Sequence, residues 1–248
     1  MSNIGTPLKP IALDKRIIFA LDVPTAEEAK TWVIKLEKDI SFYKVGLQLF
    51  LASGFEIVDW IVERDLEVML DLKFYDIPQT VASAISQLNG RGVSLTTVHG
   101  DSAIMKAAVG AKKDVSVLAV TVLTSMNEAD LKEMGIFSPV QELVLKRAHK
   151  ALDAGCDGIV ASGLEVSVLR KELGGHFLII APGVRPFSSP QDDQKRVVDL
   201  RKAFRDGADH VVIGRPIRDA LEPLILISQM KETIQEALAS RAQTTAPT

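Results

Sequence analysis

The sequence is poor in cysteine and has no long hydrophobic run. Cys156 is the single cysteine among 248 residues, which excludes an internal disulfide. A lone thiol without neighbouring cysteines or histidines does not fit a zinc site either. Residues 1–15 lack an apolar stretch of signal-peptide length, and the apolar runs elsewhere are far shorter than a membrane span. We therefore predict a protein of the reducing cytoplasm that is not inserted in a membrane.

The sequence also lacks an excess of charge of either sign. It has 29 Lys and Arg residues against 32 Asp and Glu residues, a net charge of -3. We therefore expect no broad basic surface for nucleic acid or anionic lipid, and any phosphate that binds needs a local site. Hydrophobic residues make up 47% and charged residues 25% of the chain. This balance is typical of soluble globular proteins and excludes disordered, collagen-like and coiled-coil classes.

Eight short runs rich in β-branched residues predict eight strands. They begin near Arg16, Phe42, Glu67, Leu95, Val115, Gly158, Leu178 and His210. Most of the intervening segments repeat apolar residues every three or four positions, as helices do. Strict alternation of strand and helix requires parallel pairing, and eight such units can close into a (β/α)8 barrel. We therefore predict a single (β/α)8 TIM barrel of the α/β class.

The chain shows no internal division. It has no linker rich in Pro, Ser or Gly, so we predict one domain over residues 1–248 with loosely ordered tails at residues 1–14 and 240–248. The interval between the fifth and sixth strands is longer than the others. We expect residues 127–137 to form an inserted short helix and loop.

Charged residues mark the ends of the predicted strands. Asp22 ends the first strand, Lys44 interrupts the second, Asp71 and Lys73 end the third, and His99 ends the fourth. In a barrel of this kind the catalytic groups lie at the carboxyl ends of the strands. We therefore expect these charges to meet at one mouth of the barrel, with His99 more suited to packing or hydrogen bonding than to binding a metal.

The third strand carries the densest set of charges. Because strand side chains alternate between faces, Asp71 and Lys73 point the same way. Asp76 follows, and with Lys44 these residues predict four charges of alternating sign near one strand end. A purely structural alternative exists, since Asp76 and Gln79 have the spacing of a capping box for a helix starting at Ile77. That alternative does not explain why all four charges would share one place, because each desolvated charge is costly unless it is paired.

Glycine and arginine follow the last two strands. One stretch, residues 181–186, contains Pro182, Gly183 and Arg185, and the other, residues 212–217, contains Gly214 and Arg215. Loops after the seventh and eighth strands of such barrels often hold phosphate through backbone N–H groups. Arg215 would add a bidentate charge. The alternative is a solvated arginine after an ordinary turn glycine; the position in the barrel favours a phosphate site.

The D-x-K-x-x-D pattern of Asp71, Lys73 and Asp76, within residues 71–80, resembles the bacterial orotidine 5'-phosphate decarboxylases. Further segments match this family in order along roughly residues 16–235, nearly the whole chain. They are Asp22 after Phe-Ala-Leu, Lys44 in Lys-Val-Gly, residues 120–126, residues 182–186 and residues 214–216. The family is itself a (β/α)8 barrel, in agreement with the strand count.

The resemblance implies cofactor-free decarboxylation of orotidine 5'-phosphate to uridine 5'-phosphate in de novo pyrimidine synthesis, with no metal. By similarity, Lys73 donates a proton to C6 of the pyrimidine and stabilises the negative charge that develops there. Asp71 lies beside the departing carboxylate and holds Lys73 in place. Lys44 and Asp22 bind the ribose hydroxyls, and Asp76 completes the charged chain.

The resemblance also assigns contacts to the rest of the substrate. Thr124 contacts the pyrimidine, and Ser162 is a weaker candidate for its amide edge. The phosphate residues by similarity are Arg185, Gln194, Gly214 and Arg215, and Pro182 is a further substrate-binding residue. The loop of residues 187–194 lacks the glycine that the family often has there. Gln191 competes with Gln194 for the contact that bridges phosphate and base, and Gln194 is preferred because Asp-Gln followed closely by Arg196 matches the family pattern. Gly100 replaces the more usual alanine.

The resemblance further implies a homodimer. In the family, the residues that correspond to Asp76, Ile77 and Thr80 reach into the site of the neighbouring subunit. We therefore expect a dimer in which each site needs residues of both copies.

Two other functions compete with this interpretation. Magnesium-dependent sugar-phosphate decarboxylases of the same superfamily share the D-x-K-x-x-D strand, but they lack the matches at residues 122–126 and 182–186. A non-catalytic nucleotide-binding barrel would have no reason to keep Asp71, Lys73 and Asp76, which are costly to desolvate.

Overall fold

The structure, a computed structural model, describes residues 10–186 and 198–245. Within these residues, eight parallel strands close into a barrel in the order β1-β10-β7-β6-β5-β4-β3-β2. The strands of the barrel are β1 Ile17–Ala20, β2 Phe42–Gly46, β3 Glu67–Phe74, β4 Val93–His99, β5 Ser116–Val120, β6 Gly158–Val160, β7 Leu178–Pro182 and β10 His210–Ile213. Two short strands, β8 Val184–Arg185 and β9 Val198–Asp199, pair with each other outside the barrel.

Helices connect successive strands, as parallel pairing requires. They are α1 Ala26–Leu36, α2 Leu47–Ser53, α3 Glu56–Val62, α4 Pro78–Ser86, α5 Ser102–Ala111, α6 Glu128–Glu133, α7 Val140–Asp153, α8 Val166–Leu173, α9 Leu200–Asp206, α10 Arg215–Arg218 and α11 Pro223–Thr245. The predicted (β/α)8 barrel is therefore confirmed. The inserted short helix is also present, since α6 falls inside residues 127–137.

Two apolar layers explain the fold. Side chains that alternate along each strand point either into the barrel or toward the helices. Ile18 of β1, for example, belongs to an inner cluster drawn from all the barrel strands, whereas its neighbours Ile17 and Phe19 pack in the outer layer against the helices. The inner cluster fills the lower part of the barrel, and polar side chains take over toward the carboxyl ends of the strands.

Strand β3 departs from regular pairing at its carboxyl end. Leu70 pairs with Thr96 and Phe74 pairs with Val98, so three residues of β3 lie opposite Thr97 alone. Lys73, in this bulge, has a φ of 50°, a left-handed backbone conformation that residues other than glycine rarely adopt. The sequence predicted a regular strand here, and that prediction is wrong in detail, although Asp71 and Lys73 still point into the same cavity.

The tails are more regular than their composition indicates. The amino-terminal residues from Pro10 include a short 3-10 helix, Leu13–Lys15, and Ser41 donates a hydrogen bond to the carboxylate of Asp14. At the other end, α11 extends into the predicted loose tail as far as Thr245. Residues 1–9 and 246–248 lie outside the described residues. Among the described helices, none combines the length and apolar character needed to span a membrane.

Candidate active site

A cavity of about 240 Å³ opens at the carboxyl ends of the barrel strands. Nine of the described residues predicted for the site line it: Asp22, Lys44, Asp71, Lys73, Thr124, Pro182, Arg185, Gly214 and Arg215. They come from β2, β3 and β7 and from the segments that follow β1, β5, β7 and β10. The barrel thus brings together residues that are almost 200 positions apart in the sequence.

The charges on one side of the cavity alternate in sign. Nζ of Lys44 lies 2.8 Å from Oδ1 of Asp22 and 3.9 Å from Oδ2 of Asp71, and Nζ of Lys73 lies 2.8 Å from the same Oδ2. The side chains of Lys44 and Asp71 are nearly buried, whereas that of Lys73 is 33% exposed. Each carboxylate therefore has a cation beside it, and the ammonium of Lys73 remains open to the cavity.

The carboxylate of Asp71 is held in its charged form. Burial alone would raise its pKa, but the positive charges of Lys73 and Lys44, with hydrogen bonds from Lys73 and Thr97, outweigh burial and hold the pKa below its usual range. Asp71 therefore stays ionised at neutral pH. A fixed negative charge at this place keeps an ammonium group beside it and repels a second anion.

Gly46 leaves space for the ion pair between Lys44 and Asp22. A Cβ atom at this position would lie 2.9 Å from Nζ of Lys44 and 3.4 Å from Oδ1 of Asp22. Any larger residue would therefore push against the two groups that form the contact. The sequence analysis included this glycine only as part of a family match, and its packing role follows from the structure.

Two arginines approach the cavity from the other side. Arg185 lies on β8, just after Gly183, and Arg215 begins α10 directly after Gly214. A Cβ atom on Gly214 would lie 3.2 Å from Cβ of Ala20, so a larger residue would crowd β1 at the rim. The guanidinium groups, on glycine-containing turns, give this side of the cavity the charge and the hydrogen-bond donors that a phosphate needs.

Apolar side chains complete the cavity wall, and none of them was predicted individually as a lining residue. Met69, Val120, Leu123 and Val160 line the cavity between its two charged sides. Met69 precedes Asp71 by two residues, so strand alternation could have identified it. The others lie on β5, β6 and the loop after β5. A flat ring can pack against such a wall while polar groups hold its edges.

Thr97 is a further residue that the sequence analysis missed. Its hydroxyl donates a hydrogen bond to Oδ1 of Asp71 at 2.9 Å and accepts one from the backbone N–H of Lys73 at 3.0 Å. The available signal was the alternation of β4, which places Leu95, Thr97 and His99 on the inner face.

Asp76, Ile77 and Thr80 are not brought into the cavity. All three are exposed, and Asp76 does not line the cavity in which Lys44, Asp71 and Lys73 meet. Strand β3 ends at Phe74, and the chain then turns outward into α4. Asp76 and Thr80 line a second groove with apolar residues of α2, β3 and α4, and Lys73 borders both this groove and the cavity.

The alternative role of Asp76 as a helix cap is also absent. Ile77 is the N-cap of α4, without a side-chain cap, and Pro78 follows at the first turn. The carboxylate of Asp76 accepts a hydrogen bond from the next backbone amide, that of Ile77, at 2.6 Å. The capping box with Gln79 is therefore not formed, because the helix begins one residue later than that motif requires.

Ser162, Gln194 and Gln191 are the other residues predicted for the site. Ser162 follows β6 and is fully buried, and its hydroxyl accepts a hydrogen bond from the amide of Leu164 at 3.3 Å. It does not belong to the described cavity lining. Gln194 and its competitor Gln191 lie outside the described residues.

The described residues contain no group of three or more His, Cys, Asp and Glu side chains arranged to hold a metal ion. His99 stacks against Tyr75, with ring centroids 4.7 Å apart. Burial lowers the pKa of His99, and the nearby charges of Arg147 and Lys73 lower it further. The imidazole is therefore neutral at pH 7.

Comparison with known proteins gives one consistent result. The family model described as Orotidine 5'-phosphate decarboxylase / HUMPS family matches residues 15–225. An orotidine 5'-phosphate decarboxylase of Methylococcus capsulatus is 50% identical over 234 residues, which cover 94% of this chain and 97% of that protein. The corresponding enzyme of Stenotrophomonas maltophilia is 46% identical over 97% of this chain and its own full length.

The solved structures agree with the sequence relatives. The crystal structure of orotidine 5'-phosphate decarboxylase from Lactobacillus acidophilus superimposes with a TM-score of 0.78 at 31% identity. The match covers 89% of this chain and 99% of that structure.

Proposed function

The chain belongs to the orotidine 5'-phosphate decarboxylase / HUMPS family, and from this premise we propose that it converts orotidine 5'-phosphate to uridine 5'-phosphate and CO₂. The observation that carries the proposal is the pairing of Lys73 with Asp71 at one side of a cavity whose other side holds Arg185 and Arg215. A substrate with a reacting carboxylate at one end and a phosphate at the other fits this division of charge.

The substrate can be oriented by matching its chemistry to the cavity. Its phosphate would lie at Arg185 and Arg215 near the backbone of Gly214, and its ribose hydroxyls at Asp22 and Lys44. The pyrimidine ring would pack on the apolar wall beside Thr124. We keep Pro182, Ser162 and Gln194 as further substrate contacts on the strength of the family resemblance.

The reaction then breaks the bond between C6 and the carboxylate. The electron pair stays on C6, CO₂ leaves, and the ammonium of Lys73 delivers a proton to C6; the lysine later regains a proton from solvent. The fixed positive charge of Lys73 stabilises the developing carbanion throughout, so the step requires no electron-accepting cofactor.

Asp71 acts on the same step in two ways. Its carboxylate holds Nζ of Lys73 at 2.8 Å. A substrate carboxylate placed nearby would also be repelled by this fixed negative charge, and the repulsion would be relieved when CO₂ leaves. Lys44, 3.9 Å from Asp71, limits the cost of burying that carboxylate.

The phosphate lies far from the reacting carbon, so its binding energy serves orientation. Interactions with a remote group can be used to close a site and exclude water around the reacting atoms. We propose this role for the grip that Arg185, Gly214 and Arg215 provide. The same proposal covers Gln194, whose position in the loop of residues 187–194 follows from the family pattern alone.

The simplest test of this function is a direct assay. The absorbance of orotidine 5'-phosphate should fall when purified protein is added, and treatment of the protein with EDTA should leave the rate unchanged. The competing magnesium-dependent sugar-phosphate decarboxylase would instead be inactive on this substrate and sensitive to EDTA. A non-catalytic nucleotide-binding barrel would bind uridine 5'-phosphate without turnover.

We also propose that the protein works as a homodimer in the cytoplasm. The groove that holds Asp76 and Thr80 is bordered by exposed apolar residues, and Leu51, Tyr75 and Ile77 are each at least two-thirds exposed. Exposed apolar groups of this size commonly mark interfaces. A second copy seated there would bring Asp76, Ile77 and Thr80 to the site of its neighbour, as the family resemblance implies.

Subunit mixing tests the shared site. Asp76→Asn and Lys73→Ala should each be inactive, and a two-fold interface would exchange the same elements in both directions. In an equal mixture with random exchange, about half the dimers are hybrids with one intact site each, so roughly a quarter of all sites should regain activity. An inactive mixture, once folding and exchange have been demonstrated, would show that Asp76 serves its own subunit.

A further inference from the structure

One buried hydroxyl, that of Thr97, contacts both Asp71 and Lys73. Thr97 lies on β4 with its side chain fully buried. Its Oγ1 donates a hydrogen bond to Oδ1 of Asp71 at 2.9 Å and accepts one from the backbone N–H of Lys73 at 3.0 Å. A hydroxyl has a single proton, and this pattern places it on the bond to the ionised carboxylate while a lone pair receives the amide.

The bulge in β3 explains why a side chain, and not the backbone of β4, accepts the hydrogen bond from the N–H of Lys73. Between the pairs Leu70–Thr96 and Phe74–Val98, three residues of β3 lie opposite Thr97 alone, so the regular ladder between the two strands is interrupted. The backbone N–H of Lys73 is bonded to the threonine hydroxyl instead. The same residue has a φ of 50°, a conformation that persists only where its surroundings fix it.

The carboxylate of Asp71 is consequently held at both oxygens. Oδ2 receives Nζ of Lys73 at 2.8 Å and faces Nζ of Lys44 at 3.9 Å, whereas Oδ1 receives the hydroxyl of Thr97. With donors at both ends, rotation of the carboxylate would break at least one contact. Without Thr97, the ammonium of Lys73 would be the one close donor left to the carboxylate of Asp71. The carboxylate would then be oriented by the same ammonium group that it has to hold in place.

We propose that Thr97 is a positioning residue for the decarboxylation: its hydroxyl fixes the backbone of Lys73 and the carboxylate plane of Asp71 together, so that the ammonium is aimed at the reacting carbon. This inference rests on the proposed function of the site. It adds a residue on β4, the neighbouring strand, to a charged set that the motif places on β3.

The neighbouring residue offers a matched control. Thr96 is also fully buried on β4, and its hydroxyl donates a hydrogen bond to the carbonyl of Leu70 at 3.0 Å. It thus bonds the same strand β3 without touching Asp71 or Lys73. Thr96→Val and Thr97→Val each remove one buried hydroxyl and keep the branched shape, so their difference isolates the contact with the charged pair.

The experiment compares Thr97→Val, Thr97→Ser and Thr96→Val by the kcat and KM for orotidine 5'-phosphate and by the Kd for uridine 5'-phosphate from calorimetry. Thr97→Val should lower kcat on the order of 100-fold, because a small misplacement of a reacting group has this effect. Its KM and Kd should stay within about threefold, since the substrate-binding groups remain. Thr97→Ser, which keeps the hydroxyl, should recover kcat to within about threefold of the original, and Thr96→Val should stay in the same range.

Several outcomes would overturn the inference. They are a Thr97→Val variant with the kcat of Thr96→Val, a Thr97→Ser variant as slow as Thr97→Val, and a loss confined to KM. If Thr97→Val does not fold, Thr97→Ala replaces it, with active sites counted by titration with uridine 5'-phosphate. An original protein that binds uridine 5'-phosphate but does not decarboxylate the substrate would overturn the proposed function and this inference together, whereas a normal kcat in Thr97→Val overturns the inference alone.

Discussion

Both ends of the barrel hold a buried carboxylate among cations, and the two ends use it differently. At the amino-terminal end, Asp209 pairs with Arg170 at 2.6 Å, and both side chains are about one-tenth exposed. At the carboxyl-terminal end, Asp71 pairs with Lys73 at 2.8 Å, but the lysine is one-third exposed and faces a cavity. The distances are similar, so the difference lies in what else the cation touches.

At the amino-terminal end, the guanidinium group of Arg170 makes several further hydrogen bonds within the protein. Arg170 also donates to the backbone carbonyls of Gly174, Phe177 and Gly207, and Asp209 accepts from the amide of Ile179. These contacts join α8, β7 and the turn before β10. The pair therefore connects parts of the fold.

At the carboxyl-terminal end, the ammonium of Lys73 is one-third exposed and open to the cavity. Its ammonium lies against Asp71, and its backbone is held by Thr97 in a conformation that is unfavourable for lysine. Such conformations persist only where the surrounding structure holds them, and they cluster at functional sites. The comparison teaches that burial and pairing of charge do not by themselves identify a catalytic group. A cation that faces a cavity from a constrained backbone, as Lys73 does, is the better candidate.

The largest expected effect separates the two ends by activity. Lys73→Ala should lower kcat by at least about 10⁴-fold, because both proton delivery and charge stabilisation at C6 are lost. The fold should persist, as judged by circular dichroism, because the barrel core does not involve this side chain. Turnover at the original rate would remove Lys73 from the proposed mechanism.

The second prediction concerns the stability contributed by the ion pair at the amino-terminal end of the barrel. Arg170→Met should lower the free energy of unfolding by about 3–5 kcal/mol, since Asp209 would be left buried without its partner. Its kcat at 25 °C should remain within about twofold, because the change lies at the opposite end of the barrel. Urea titration and the decarboxylation assay measure the two quantities.

The exposed pair of Arg201 and Glu236 provides a matched control for that variant. Their side chains are 51% and 61% exposed, so Arg201→Met should change the free energy of unfolding by less than about 1 kcal/mol. Equal losses in the two variants would contradict the structural role assigned to Arg170.

A smaller effect tests the phosphate side of the cavity. Arg215→Ala should lower kcat/KM for orotidine 5'-phosphate about 100-fold, as expected when a charge-assisted phosphate contact is lost. For orotidine, which has no phosphate, the same variant should change kcat/KM by less than about threefold. Equal sensitivity of both substrates would give Arg215 a different role.

The smallest effect concerns pH. Burial lowers the pKa of His210, and a hydrogen bond to the carbonyl of Lys15 offsets this only in part. The folded protein therefore keeps His210 neutral, whereas the unfolded chain takes up a proton below about pH 6.5. This stabilising contribution is present above that pH and is lost as the pH falls toward the depressed pKa of the folded state.

The carboxyl-terminal end behaves differently in the same titration. Because the pKa of Asp71 is held below its usual range, its contribution is lost only in more acidic solution, as the pH falls below the ordinary carboxyl range. Between about pH 7 and 5, the free energy of unfolding of His210→Gln should therefore depend less steeply on pH than that of the original protein, as measured by urea titration at several pH values. An unchanged slope would show that His210 is not the group that titrates.

Local patterns in the sequence predicted the barrel and much of its mouth. Alternation along β3 was enough to place Asp71 and Lys73 together, and the glycines before Arg185 and Arg215 marked the other side. The bulge in β3 was not predictable, because it depends on the register against β4, which is set by distant residues. Thr97 was missed for the same reason, since its role exists only where that register leaves it opposite Lys73.

The position of Asp76 shows a second limit of sequence reasoning. Charges that are close in sequence were expected to share one place, but Asp76 lines only the second groove, whereas Lys73 borders both that groove and the cavity. The path of the chain after Phe74 decides this, and the spacing of the motif does not report it.

The most direct test of the account is a crystal structure with uridine 5'-phosphate bound. The account predicts C6 of the base about 3–3.5 Å from Nζ of Lys73, as expected for atoms placed to react. The ribose hydroxyls should contact Asp22 and Lys44, and the phosphate should contact Arg215. A nucleotide bound with its phosphate at Lys73, or bound outside this cavity, would contradict it.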